Sequence, residues 1–305
     1  LGWLLQKQET WESAAAWFQQ VAERFPKDPL ASKALYAAGV CRSRLGQSEA
    51  ALRDWTALLT QYPESEEVAE TLYQKAMEEL RAKNPRAAGA TLDERTRRFP
   101  DDARKAEVLY WRAAVARQTG DRVEAEKLFR ACLAASPPKE FERESMLDLG
   151  LLLQEDGRKE EAAEIFQKLL DAPITERIGP DRLAWLAEFQ LGQKRLDAAA
   201  KAANALLALK PDKGWVQTAW TLLGRIHRAK EERDPAIHAF KEALASGAST
   251  AYGAEAALRL GELMMQAGRF DEAANHFNDA AARASTPELL GLRVHAYMGL
   301  ARNAE

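Results

Sequence analysis

The side chains best suited to chemistry are four histidines, His227, His238, His276 and His295, and two cysteines, Cys41 and Cys132. A zinc site needs such ligands brought together, most simply as two histidines four apart on one helix face or as a close cysteine pair. No two of these histidines stand four apart, and none has a companion cysteine. The spacing therefore predicts no metal centre. His227 is expected to be a hydrogen-bonded core or rim histidine, and the cysteines buried thiols, since free Cys behaves as a small hydrophobe. Carboxylate pairs such as Glu160–Glu161 and Glu231–Glu232 fall on predicted solvent faces. The chain has no nucleophile-elbow motif, no phosphate-binding glycine loop and no dinucleotide fingerprint. The expectation is a non-catalytic protein with no cofactor.

What does recur belongs to other residue types. Counting from Ala162 in steps of 37 residues lands on Ala14, Ala51, Ala88, Ala125, Ala199, Ala236 and Ala273. Four residues after each alanine stands Phe18, Trp55, Leu92, Phe129, Phe166, Ala203, Phe240 or Phe277. Twelve residues before each is Gly or Ala, from Gly2 and Gly39 to Gly224 and Gly261. Prolines close several units, at Pro26, Pro63, Pro100, Pro137 and Pro211.

Within a unit the apolar period is that of a helix. "LYAAGVCRSRLG" has apolar residues three and four apart and ends on Gly46; "SEAALRDWTALLTQYP" opens on Ser48 and stops before Pro63. Each unit reads as a helix pair that cannot bury its apolar face alone, so neighbours must stack. The alanine lets two backbones approach, and the aromatic is expected to fill the wedge between its pair and the next helix.

Composition fits such an array. The chain has 305 residues, 47% hydrophobic and 29% charged, with a net charge of −3. That lacks the basic excess of a nucleic-acid binder. No apolar run nears the roughly 18 residues a membrane span requires, so direct membrane insertion is not expected.

Gly or Ala at the eighth position, Ala at the twentieth, an aromatic at the twenty-fourth and Pro at the thirty-second resemble the tetratricopeptide repeat. The resemblance covers essentially the whole chain, although the family's usual unit is shorter than 37 residues. The extra residues follow the proline, as in "YPESEEVAETLY" and "FPKDPLASKALY". Those stretches resemble the repeats of bacterial envelope proteins of the Tol-Pal coordinating and outer-membrane-assembly lipoprotein types. The implied fold is all-α, a right-handed superhelical solenoid of antiparallel helix pairs. Its expected layout is one array with a partial repeat over 1–31, repeats over 32–68, 69–105, 106–142, 143–179, 180–216, 217–253 and 254–290, and the start of another over 291–305.

In this family the concave groove is lined mainly by the first helix of each pair. The resemblance then places Tyr36, Tyr73 and Tyr110 at one groove position, with Trp111 beside the last, and Lys7, Arg44, Arg81 and Arg117 along a basic edge. Glu70, Glu107, Glu144, Asp181 and Glu255 would form the opposite edge. Two readings of the tyrosines stand side by side: packing between repeats, or a ladder that binds an extended peptide or partner helix. The Lys and Asn set that clamps chaperone tails in this family is missing at the matching positions.

The function implied is a protein-interaction scaffold, a segment of a larger protein, binding a protein or peptide partner in its concave groove. The alternatives are a structural spacer or oligomerisation arm that self-associates through uncapped ends, and a regulatory domain of an enzyme outside this segment. The envelope-type repeats point to the bacterial periplasm or cell envelope, with the cytoplasm as the alternative.

Overall fold

The computed structural model describes residues 1–171 and 178–304. Residues 172–177 of the repeat expected over 143–179, and residue 305 of the last, lie outside the described residues. Every regular element among the described residues is helical. The contacts group into two compact units, Leu1–Leu152 and Leu153–Glu305.

The first unit holds α1 (Gly2–Lys7), α2 (Trp11–Arg24), α3 (Leu30–Arg44), α4 (Ser48–Gln61), α5 (Val68–Arg81), α6 (Pro85–Arg98), α7 (Lys105–Thr119), α8 (Arg122–Ala134) and most of α9 (Lys139–Glu155). The second holds α10 (Lys159–Asp171), α11 (Pro180–Gly192), α12 (Leu196–Ala208), α13 (Lys213–Ala229), α14 (Arg233–Ala245), α15 (Ala251–Gln266), α16 (Phe270–Arg283) and α17 (Leu290–Ala304). In each unit a helix packs on its partner and on the first helix of the following pair, in chain order. That is an all-α repeat stack.

One contact recurs in several of the pairs. All eight ruler alanines are fully buried, as are Phe129, Phe166, Phe240 and Phe277, with Trp55 and Phe18 nearly so. Four of these rings, Phe18, Trp55, Phe240 and Phe277, lie flush on a glycine of the same pair. A Cβ built on Gly224 would stand 2.5 Å from the Phe240 ring, and one on Gly2 or Gly261 would stand 2.8 Å from Phe18 or Phe277. Gly39 lies under the Trp55 indole in the same way, and that indole Nε1 donates to the Tyr36 carbonyl at 3.2 Å. The ring is thus seated first on its own pair. Phe277 also meets the following helix, where a Cβ on Gly299 would come within 2.6 Å.

The two repeats lacking the aromatic compensate differently. In α6, Leu92 is fully buried and Arg95, in a place where an apolar residue is usual, is only 2% exposed. Its guanidinium donates to the Ala69 carbonyl at 2.9 Å and pairs with Asp102 at 2.9 Å, so no buried charge is left alone. In the second unit Ala203 takes the ring's place, and aromatic bulk comes instead from α11. Trp185 stacks on Phe189 at 5.4 Å and meets Phe166 edge-on at 5.8 Å.

The turn inside each pair carries a second 37-residue signature. Glu9, Gly46, Lys83, Gly120, Gly157, Lys194, Glu231 and Gly268 all have positive φ, from 55° to 89°. A left-handed residue after a helix end lets the chain double back, and glycine adopts it without the side-chain clash that other residues meet. Half of these turns use glycine and half do not.

The turns between pairs explain the long unit. After α2, α4 and α6 the chain makes two successive tight turns: Asp28 N to Phe25 O and Ala31 N to Asp28 O, then the same at Ser65 and Val68 and at Asp102 and Lys105. Further on, Ser136, Lys210 and Gly247 reverse the chain through positive φ instead. The extra residues are therefore folded, not looped out.

Lys83 and Glu231 are exposed at their left-handed turns. Lys83→Gly and Glu231→Gly should each raise stability by up to about 1 kcal/mol, and Gly46→Ala should lower it by about 1 kcal/mol. Urea unfolding of the three variants checks both signs.

Candidate partner-binding groove

The predicted partner residues separate into two groups once placed on the first helices of the first unit. Tyr73 and Trp111 belong to the packing between repeats. The Trp111 Nε1 on α7 donates to the Tyr73 hydroxyl on α5 at 3.2 Å, and Arg104 lies over the Tyr73 ring at 4.7 Å. Tyr110 on α7 does the same one repeat on: its hydroxyl donates to Asp148 on α9 at 3.4 Å, and its ring meets Phe141 edge-on. Burial pushes the Tyr110 phenol up to about 12, with the Asp148 carboxylate acting in the same direction. Arg117 also binds Asp148, at 2.6 Å.

The second group faces an open cleft. A cleft of about 490 Å³ is lined by Tyr36 and Val40 of α3, Ser43 and Arg44 at its end, and Gln74 and Arg81 of α5. Tyr36 is half-buried; burial first, and then Glu70, raise its phenol to about 12, so it stays a neutral hydrogen-bonding group. Arg44 is exposed and forms no hydrogen bond or ion pair in the described structure. Lys7, the corresponding residue of the preceding repeat, is likewise exposed and unpaired.

Arg81 is held in place. It contacts Glu78, whose side chain is only 1% exposed, and donates to the Ser43 hydroxyl at 3.0 Å. Ser43 in turn donates to Glu78 at 2.7 Å, and Ser48 donates to the other carboxylate oxygen. Burial opposes ionisation of Glu78, but the two serine hydroxyls and Arg81 together hold its carboxyl below the usual 4.5. The Arg81 head group still projects outward, with its side chain 62% exposed.

The acidic edge is largely consumed internally. Glu70 accepts from Gln74 at 2.9 Å and pairs with Arg104 at 3.4 Å. In the second unit the groove positions are self-neutralised: Glu188 pairs with Arg225 at 3.0 Å, and Glu262 with Arg228 at 2.7 Å and Arg259 at 3.0 Å. On the basic edge of the first unit, Lys7 and Arg44 are left without a partner.

The geometry offers hydrogen bonds, the apolar side chain of Val40 and fixed charge. Both cysteines are buried free thiols, and among the described residues no three ligands gather for a metal. His227 bonds Glu232 at 2.6 Å. No helix of the described residues is long and apolar enough to cross a membrane.

Sequence profiles described as tetratricopeptide repeat match residues 1–66, 147–213 and 221–288, and a related one matches 104–173. The chain belongs to the tetratricopeptide repeat family. A crystal structure of a tetratricopeptide repeat protein from Parabacteroides merdae is 19% identical, with 87% of this chain and 96% of that chain covered and a TM-score of 0.51. The C-terminal part of a TPR repeat-containing protein from Cytophaga hutchinsonii is 12% identical, covering 95% and 97%, with a TM-score of 0.44. Pseudomonas aeruginosa pilF is 17% identical, covering 70% and 90%, with a TM-score of 0.46. No curated protein matches the chain. Repeats of this family generally mediate protein–protein interactions, and the fold is typically a non-catalytic scaffold.

Asp148 and Glu78 are not among the residues singled out from the sequence of this tetratricopeptide array, and Ser48, expected only to open its helix, donates to Glu78 instead. For Asp148 a signal existed: Tyr73 to Trp111 and Tyr110 to Asp148 are both steps of 38 residues, one more than the repeat. For Glu78 none did, since a carboxylate on a helix normally faces water.

Ionised Glu78 is favoured by the fold, so its contribution is fully present above about pH 4.5 and is lost as pH falls through its lowered folded value. Glu78→Gln should lose about 1–3 kcal/mol at pH 7 through its weakened hydrogen bonds. The gap from the parent should close in acid. Denaturant unfolding of both proteins from pH 7 to pH 3 checks this.

Proposed function

We propose that this chain is a protein-interaction scaffold whose first unit captures an extended peptide or partner segment along the first helices of its repeats. The observation that carries the reading is the cleft at Tyr36, Val40, Arg44 and Arg81, where a free guanidinium stands beside an apolar floor. Rigid aromatics give contact area at little entropic cost, and a guanidinium fork gives direction. Elsewhere the tyrosines and acids of the groove are spent on packing between repeats.

The chain is read as a bacterial envelope protein, on the strength of the 37-residue unit with its double turn after the proline. A second reading, a spacer or arm that self-associates, is favoured by exposed apolar side chains: Trp3 and Leu4 on α1, and Leu290, Val294 and Tyr297 on α17.

Selection of random peptides displayed on phage against the immobilised chain tests the groove. The expected result is an enriched consensus whose synthetic peptide loses at least tenfold in affinity on Val40→Asp. The same peptide should be unmoved by Arg97→Glu, on the exposed face of a second helix. Absence of any consensus, or equal binding to both variants, contradicts the proposal.

A further inference from the structure

We infer that the segment held in this groove is an extended acidic peptide carrying a carboxylate side chain at about every third residue, with apolar residues between. The inference rests on the groove reading above and adds the charge and spacing of the partner.

Charge complementarity fixes the sign. Lys7 and Arg44 occupy the same position in consecutive repeats, and both are exposed without a partner. Arg81 follows after another 37 residues with its head group exposed, braced from behind by buried Glu78 and Ser43. Free cations at a repeat's own period make a row rather than a single pocket. A row suits side-chain carboxylates spread along a strand, whereas a lone chain terminus would need only one of them. Glu78 already pairs with Arg81, and Glu70 is engaged by Gln74 and Arg104, which leaves Lys7 and Arg44 as the unpaired cations of the row.

Repeat geometry fixes the spacing. The first helices α3 and α5 touch directly, and helices in contact lie roughly 8–10 Å apart. An extended chain advances about 3.3 Å per residue. One repeat therefore corresponds to about three peptide residues, which brings each third side chain to the next cation. The residues between would meet the ninth positions of the repeats, where Trp3 is 56% exposed and Val40 lines the cleft. Arg81 is tied into buried structure, so the exposed pair Lys7 and Arg44 are the positions to change without disturbing the fold.

The test uses three fluorescein-labelled ten-residue peptides of one length and apolar content, with Glu, Lys or Ser at every third position, titrated by anisotropy. A fourth has Ser at those positions and a free C-terminal carboxylate, the other three being amidated. The Glu peptide should bind, at least tenfold more tightly than the others, and weaken about tenfold or more in Lys7→Glu/Arg44→Glu. Its binding should also fall steeply with salt, while the variant's melting temperature matches the parent's. Preference for the free terminus, or equal binding of Glu and Ser peptides, overturns the acidic-row inference and leaves the groove reading standing. Preference for the Lys peptide does the same. Binding of no peptide overturns the inference, and the phage selection then decides the groove reading independently.

Discussion

The structure depends on a flat ring pressed against a residue with no side chain. In the repeats that pair Gly39 with Trp55, Gly224 with Phe240 and Gly261 with Phe277, the ring occupies the space where a Cβ would stand. In these repeats the ring and the fully buried ruler alanine together close the gap between the two helices. Interiors packed at this density tolerate little change of volume. In these pairs the closeness of the two helices, and so the face the first helix shows, rests on one ring and one missing methyl.

The groove is built on the packing of these pairs. The first helices present their fifth, ninth and thirteenth positions together because the second helices are fixed behind them. Most of the polar groups so presented are used at once to join neighbouring repeats: Tyr73 with Trp111, Tyr110 and Arg117 with Asp148, Glu188 with Arg225. The cleft of the first unit differs because Arg44, on its rim, has nothing to pair with.

The fold was legible in the sequence because its cause is periodic. A buried alanine and ring recurring every 37 residues cannot be mistaken for surface variation, and the helix pairs follow from apolar spacing. The site was legible only in part. Tyr36, Arg44 and Arg81 line one cleft, but Tyr73, Tyr110 and Trp111, which share the same register, are turned to packing. Nothing in residue type separates Tyr36 from Tyr73; the difference is whether the next repeat supplies an indole or a carboxylate in reach. The left-handed turns at Glu9, Lys83, Lys194 and Glu231 were hidden for a related reason, since charged residues stand where glycine would have marked them.

The ring-on-glycine contact is tested most directly by a double-mutant cycle on Gly224 and Phe240, read by urea unfolding. Gly224→Ala should destabilise the parent, because the new Cβ meets the ring. In the Phe240→Leu background the same change should be neutral or stabilising, as expected from alanine's better helix propensity. The coupling should be at least about 1 kcal/mol. Strictly additive effects would contradict the claim that this contact sets the pairing of the helices.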